Sequence, residues 1–414
     1  MQKDSWSQGL NPDALAAARD VARVLSQAGH RAWLVGGCVR DLVLGRSPHD
    51  LDMVSKATPD EVERLFPRTV AVGKAFGVMR VLQGRFDFEL ATFRSEGAYV
   101  DGRHPAEVQL DSSAEMDATR RDFTCNALYL DPLDGTRLDP TNGMQDLEAG
   151  ILRAVGDAQK RFEEDSLRLM RMARFEANLG LQPAPGLHAA ALAVAPGLQR
   201  VSPERVLDEL VKVCSGPDPA RAMEILVECS LLGSALPQLP AGDEELRVRT
   251  IAALQEESSV KPLTLLAAFL DPGDQGQAAL LDSLPLAREQ RRGLVEIWQA
   301  RALSVQLAAE ENRDPADLAR ALRGVHGAGG LTLARARCQA QDADPAPLER
   351  LLEWTKGATL EVESLLNGEE LARLGVERGP LMGTILYELE GEQLRGRVST
   401  QDEAREFVRR RLQG

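Results

Sequence analysis

The spacing of apolar residues changes character once along this chain of 414 residues, and that change constrains the fold more than any other feature. Before Asp157, short apolar runs alternate with helical segments. Residues 11–29 place Leu15, Ala18, Val21, Val24 and Leu25 on one side of a helix. Arg31–Val35 reads as a strand, Gly36-Gly37 as a tight turn, Cys38–Leu44 as a helix and Asp50–Val54 as a short strand. Thr58 is placed to cap a helix over Pro59–Leu65. Thr69–Val72, Val78–Leu82 and Phe86–Phe93 then read as strands. Such alternation is the pattern of strands and helices layered on one another. From Glu163 to Gly414 apolar residues recur at helical spacing almost throughout, with breaks expected at Pro183–Gly186, Gly216–Pro219, Pro237–Gly242, Asp271–Gly276 and Gly327–Gly330. The expected class is α+β, a sheet-bearing N-terminal part followed by helices.

The length calls for two to four units. No apolar run reaches the roughly 18 residues that a membrane span needs. The stretch Met1-Gln2-Lys3-Asp4-Ser5-Trp6 lacks the basic-then-apolar order of a secretion signal, so a cytoplasmic protein is expected. Cys38, Cys125, Cys214, Cys229 and Cys338 are scattered and show no C-x-x-C spacing, which disfavours a disulfide framework or a zinc site. The net charge of −14 argues against attraction of nucleic acid to the whole surface. It leaves room for a local basic groove, because phosphate contacts act over about 10 Å or less.

Three constellations carry chemistry. The first is Gly36-Gly37-Cys38-Val39-Arg40-Asp41 with Asp50-Leu51-Asp52. A strand, a glycine turn and a helix start form a natural phosphate cradle. Arg40 would stand one turn into the helix, within reach of a phosphate. Asp50 and Asp52 at i and i+2 on a strand project from one face. Two carboxylates that close favour a cation between them, and hard oxygen ligands choose Mg²⁺. That arrangement serves two-metal phosphoryl transfer. A lone D-x-D is most often an exposed strand end; the glycine turn before it shifts the reading to function. His49-Asp50 also fits a His-Asp phosphohydrolase, but His30, His49, His104, His188 and His326 form no metal set.

The second constellation is Arg120-Arg121-Asp122-Phe123-Thr124-Cys125-Asn126, which alone reads equally as a capped turn with an ion pair. The third runs from Glu164 to Phe175. There Asp165, Arg168, Arg171 and Arg174 fall three apart, as neighbouring rungs of a helical ridge backed by Leu167, Met170 and Phe175. An isolated ridge of this kind is a salt-bridged solvated face. Facing a nucleotide, an Asp acceptor beside an Arg donor can match the Watson–Crick edge of a base, and further arginines can bind triphosphate.

In this order and spacing the three resemble motifs of the class II tRNA nucleotidyltransferases, the CCA-adding enzymes of the polymerase-β superfamily. Asp50 and Asp52 with the glycine turn resemble the metal-binding motif. Arg121-Asp122-Phe123-Thr124-Cys125-Asn126-Ala127 resembles the ribose-binding motif. Asp139, Gly143, Asp146 and Leu147 resemble the hinge motif, and Glu164-Asp165-Ser166-Leu167-Arg168 the E-D-x-x-R motif that reads the incoming base. Asn367–Leu371 and Gly379–Gly383 are similar to the C-terminal region of longer members.

The resemblance implies a polymerase-β-like nucleotidyltransferase head with a small mixed sheet over residues 1–157, then a helical neck over 158–235, body over 236–345 and tail over 346–414. It implies addition of C and A from CTP and ATP to the tRNA 3′ end with Mg²⁺. Asp50 and Asp52 would be catalytic metal ligands, and Glu89 would be either a third carboxylate or an edge-strand charge. Gly37, Arg40, Arg121, Asp122, Asn126, Asp165, Arg168, Arg171 and Arg174 would bind nucleotide. Arg288, Arg291, Arg292, Arg395, Arg397, Arg405, Arg409, Arg410 and Arg411 are candidates to grip tRNA. Arg94–Pro105 resembles the flexible loop of members that add A, which argues against a CC-only enzyme. An A-adding enzyme, a poly(A) polymerase and a non-catalytic RNA-binding protein remain alternatives. Monomer and dimer both fit.

Overall fold

The computed structural model describes residues 9–48, 50–74, 77–96, 108–110, 113–257, 260–273, 276–309 and 314–413. His49, the first residues from Met1 to Trp6 and positions 97–105 of the expected loop lie outside these. The chain divides into two compact units, Met1–Val206 with Ile225–Leu236, and Leu207–Glu224 with Pro237–Gly414.

In the first unit the elements run α1 (Pro12–Gln27), β1 (Ala32–Val35), α2 (Gly37–Val43), β2 (Met53–Ser55), α3 (Pro59–Leu65), β3 (Thr69–Gly73), β4 (Val78–Gln83), β5 (Phe86–Thr92), β6 (Arg94–Glu96), β7 (Val108–Leu110), α4 (Ala114–Thr119), β8 (Tyr129–Leu130), β9 (Arg137–Leu138), α5 (Gly143–Glu148), β10 (Ile151–Leu152), α6 (Ala158–Glu164), α7 (Leu167–Leu179), β11 (Gln182–Pro183) and α8 (Leu187–Val194). The main sheet has the order β3-β4-β5-β2-β1-β8-β9. It is mixed, as expected, because β2 lies parallel to β5 while the other neighbours are antiparallel.

Alternation sorts the side chains. Trp33, Val35, Val54 and Tyr129 face one side and pack with Phe93, Ala114, Ala118, Ala127 and Val155. Leu34, Met53 and Leu90 face the other and are equally buried. Across that sheet α1 lies against β1, β4 and β5 and buries Leu15, Ala18, Val21, Ala22 and Leu25. Thr58 caps α3 as expected, in a reciprocal box with Glu61.

Two expectations change. The strand placed over Asp50–Val54 begins only at Met53, although Val35 N–H still donates to Asp52 O at 3.0 Å. And β5 is interior, between β4 and β2, so Glu89 is not an edge-strand charge.

In the second unit every regular element among the described residues is a helix. Its longest helix, Arg288–Ala309, packs against Gly324–Ala340. Gly327–Gly330, expected as a break, lies inside that second helix. The reason is close approach: a Cβ at Gly330 would stand 2.4 Å from Cβ of Ala300. A separate apolar cluster of Leu366, Leu371, Val376, Ile385, Leu389, Val398, Ala404 and Val408 closes the C-terminal end.

The hinge-like motif is a knot of backbone bonds. Asp139 accepts from the N–H of Gly143 at 2.7 Å and of Met144 at 2.9 Å. Asp146 accepts from the Thr124 hydroxyl at 2.7 Å. A Cβ at Gly143 would fall 2.1 Å from the Thr124 carbonyl oxygen, a backbone atom that cannot swing away. Gly143→Ala is therefore expected to cost about 1–3 kcal/mol as overpacking. Chemical denaturation checks this, and an unchanged midpoint would contradict it.

Candidate active site

The site grows from the junction of β1, β2 and β5. Gly36 takes φ 74°, a left-handed value that glycine accepts without strain, and turns the chain from β1 into α2. Met53 is level with Leu90 in the parallel β2–β5 pair, so Asp52 comes abreast of Glu89, and both project on the face of Val54 and Ala91. Asp52 is open to solvent, yet surrounding protein desolvates it. Burial, then Glu89, then Asp50 push its pKa up from 3.8 to about 6, against the opposing pull of Arg121. Three carboxylates thus share one electrostatic neighbourhood. Among the described residues no group of three His, Cys, Asp or Glu converges at metal-ligand distance. The donor set suits a hard cation all the same, because a divalent charge would offset the burial and the repulsion that together raise Asp52.

Arg121 stands beside this end of the sheet. Its Nη1 donates to the Asn126 carbonyl at 3.2 Å and lies 3.3 Å from where a Cβ on Gly36 would be. Its Nε donates to Asp117 Oδ2 at 3.0 Å and to the Tyr129 hydroxyl at 3.1 Å. Cys38 and Cys125 are buried, and burial foremost holds each thiol up near 12, so neither is a nucleophile at neutral pH.

Behind the turn, four of the expected residues form one chain of hydrogen bonds. Arg40 Nη1 donates to Asn126 Oδ1 at 2.7 Å. Asn126 Nδ2 donates to Asp122 Oδ1 at 3.0 Å. Arg171 donates from Nε to Asp122 Oδ2 at 2.7 Å. Burial alone would raise the Asp122 pKa; Arg171, Asn126 and its own Phe123 N–H bring it down to about 2. Arg40, Arg171 and Arg174 place their guanidinium carbons 5.2, 5.1 and 4.2 Å from the Phe175 ring centre. Phe123 meets the same ring edge-on at 5.8 Å. Arg40, expected at a phosphate, is instead buried and committed to Asn126 and to Asp41.

The ridge is also revised. Asp165 has extended backbone angles between α6 and α7 and so is not a rung of the helix; Arg168, Arg171 and Arg174 are. Leu167, Met170 and Phe175 are buried, but Phe175 lies under Arg171 and Arg174 on their side of the helix and not behind them. Asp165 is held by Arg205 through bonds of 3.1 and 2.7 Å. Arg168 is buried, donating to Glu164 at 2.6 Å and to the Arg120 carbonyl at 2.9 Å.

Asp117, Tyr129 and Arg205 did not stand out in the sequence. Asp117 had a signal, its helical spacing four residues before Arg121; the other two had none. Several of the surface arginines named for RNA already face carboxylates. Arg291 meets Asp282, Arg405 meets Asp402, Arg410 meets Glu406 and Arg411 meets Glu388.

The depressed Asp122 fixes the sign of a pH effect. Its contribution is present above the ordinary carboxylate range and is lost as pH falls through about 2. Asp122→Asn is expected to destabilise the fold by about 2 kcal/mol at pH 7. Denaturation of both proteins from pH 7 downward should show the gap closing between about pH 4 and 2. A gap constant over that range would remove the charge argument.

Comparison with known proteins agrees with this geometry. Residues 32–153 match the family model described as "Poly A polymerase head domain", and residues 180–241 that described as "Probable RNA and SrmB- binding site of polymerase A". The CCA-adding enzyme of Levilactobacillus brevis is 30% identical over 408 residues, covering 95% of this chain and 97% of its own. That of Streptococcus mutans is 32% identical over 410 residues, covering 97% and 98%. The crystal structure of the Bacillus stearothermophilus CCA-adding enzyme in complex with CTP superposes with a TM-score of 0.76 at 29% identity, over 97% of this chain and 98% of that one. With three motifs in contact at one end of a mixed sheet, and similarity along the length of both chains, this protein belongs to the class II CCA-adding enzymes.

Proposed function

We propose that the chain builds the C-C-A end of tRNA by template-independent nucleotidyl transfer from CTP and ATP, releasing pyrophosphate, in the cytoplasm. The observation that carries this reading is the carboxylate group of Asp50, Asp52 and Glu89, with Arg121 beside it, in a chain similar to CCA-adding enzymes over nearly its whole length. Asp50 and Asp52, with Glu89 as a third carboxylate, would hold Mg²⁺. Bound there, Mg²⁺ supplies positive charge that eases loss of the tRNA 3′-hydroxyl proton and steadies pyrophosphate.

The protein's own groups divide the remaining work. Gly37 leaves the turn open to a phosphate, and Arg121 holds the nucleotide on its triphosphate or ribose side. Asp122 and Asn126 serve the ribose side, tensioned by Arg171 and Arg40. Asp165 and Arg168 read the base; both must first leave or share their present partners, Arg205 and Glu164. Arg174 adds charge along α7. Residues 1–157 act as head, 158–235 as neck, 236–345 as body and 346–414 as an RNA-gripping tail. Arg94–Pro105 supplies the lever between C and A addition.

Asp52→Ala is expected to abolish nucleotide incorporation while leaving tRNA binding nearly unchanged. Incorporation at the wild-type rate would remove the mechanism. Glu89→Gln should raise the Mg²⁺ concentration needed for half-maximal rate, and an unchanged requirement would exclude it from the metal site. To test which nucleotides are added, tRNA lacking CCA and tRNA ending in CC are offered each triphosphate separately. Growth of the CC-ended tRNA alone, with ATP alone, would replace CCA addition by A addition.

A further inference from the structure

Asp117 belongs to none of the three sequence motifs, and its side chain is 0% exposed. A carboxylate buried to that extent is costly unless donors fill its lone pairs. Here they do. Oδ1 accepts from Arg120 Nε at 2.8 Å, and Arg120 Nη2 closes on the same atom. Oδ2 accepts from Arg121 Nε at 3.0 Å and from the Tyr129 hydroxyl at 2.8 Å, with Arg121 Nη2 at 2.9 Å. Burial alone would raise the Asp117 pKa; Arg121, Arg120 and Tyr129 together reverse that and lower it. Tyr129 lies on β8, hydrogen-bonded beside β1, so the carboxylate is tied to the sheet as well as to its own helix.

The position of Arg121 follows from this clamp. Arg121 lies against the Gly36 turn and acts on Asp52. A guanidinium on a flexible stem is aimed only if its planar fork is gripped, and a two-point contact with a carboxylate grips it. The backbone just before it is held from another direction. Arg168 Nη2 donates to the Arg120 carbonyl at 2.9 Å, and Arg161 Nη2 to the Thr119 carbonyl at 2.6 Å. The end of α4 is thus fixed through its side chains by Asp117 and through its carbonyls by α6 and α7.

We propose that Asp117 is a positioning residue for nucleotidyl transfer: without touching substrate, it aims Arg121 at the incoming nucleotide beside the carboxylates. The proposal rests on the reading of Arg121 as a nucleotide-holding residue. The test uses full-length Asp117→Asn, Tyr129→Phe, Arg121→Ala and the Asp117→Asn/Arg121→Ala double variant, with steady-state kinetics for CTP, ATP and tRNA, and a melting curve for each. Asp117→Asn is expected to raise the nucleotide KM about tenfold, with kcat changed about threefold or less and the tRNA KM unchanged. Tyr129→Phe should move the same parameter by a smaller factor. Added to Arg121→Ala, Asp117→Asn should raise the nucleotide KM no further.

A lowered melting temperature with no selective change in nucleotide KM would make Asp117 merely structural and overturn the proposal. So would effects that multiply in the double variant. If Asp117→Asn does not fold, Tyr129→Phe decides, and an unchanged nucleotide KM overturns. Arg121→Ala with no effect on nucleotide KM would remove the reading of Arg121, whereas an effect there with a silent Asp117→Asn removes this proposal alone.

Discussion

The register of one parallel strand pair forces two like charges together. Once Met53 is level with Leu90, Asp52 must stand beside Glu89 on the same face of the sheet. The apolar residues beyond them hold that register, since a slip by one would turn Val54 and Ala91 out of the packed face. The backbone register therefore sets the two charges on neighbouring positions whatever rotamers they take. Burial and their repulsion together raise the pKa of Asp52, burial contributing most, with Arg121 as the partial counterweight. Like charges side by side in a partly desolvated place are the electrostatics that a cation would relieve.

The arginines around it follow a second rule. Arg168 is buried, and Arg121 and Arg171 are largely so; each faces a carboxylate: Glu164, Asp117 and Asp122. A buried ion pair adds little net stability against a well-packed apolar pair, but removing one partner is severe because the other charge is stranded. Such pairs accordingly hold geometry more than they stabilise. Arg171 fixes Asp122, Asp122 fixes Asn126, and Asn126 fixes Arg40. The Phe175 ring gives the three guanidinium groups around it a shared flat surface.

What the sequence shows depends on how local the cause is. The α3 cap is legible because Thr58 and Glu61 are three residues apart and satisfy each other. The glycine turn and the carboxylate pair are legible because their chemistry is written in adjacent positions. Gly327–Gly330 misleads because glycine breaks a helix only when no neighbour needs the space, and Ala300 needs it. Asp165 misleads because spacing by three predicts a helical rung, while its backbone is extended between two helices. The burial of Arg40 and Arg168 is invisible for a similar reason: arginine defaults to the surface, and besides local Asp41 and Glu164 each is held by a partner far along the chain, Asn126 and the Arg120 carbonyl. Asn126 lies 86 residues from Arg40, and Arg205 lies 40 from Asp165. No local pattern announces such contacts.

The helical second unit, proposed to grip tRNA, poses a different question, how a chain of net charge −14 would hold a polyanion. Many of its surface arginines are already engaged with carboxylates. Exposed pairs of this kind are weak, worth about 1 kcal/mol or less. An arginine can leave Asp402 or Glu388 for a phosphate at small cost, and the phosphate brings released counterions that the carboxylate does not. The carboxylates left behind then repel the backbone they adjoin. Binding by exchange is thus weaker per contact than binding by open lysine or arginine, and more readily reversed. If the arginines proposed to grip tRNA bind by such exchange, an acidic surface would favour release of the product as much as its capture.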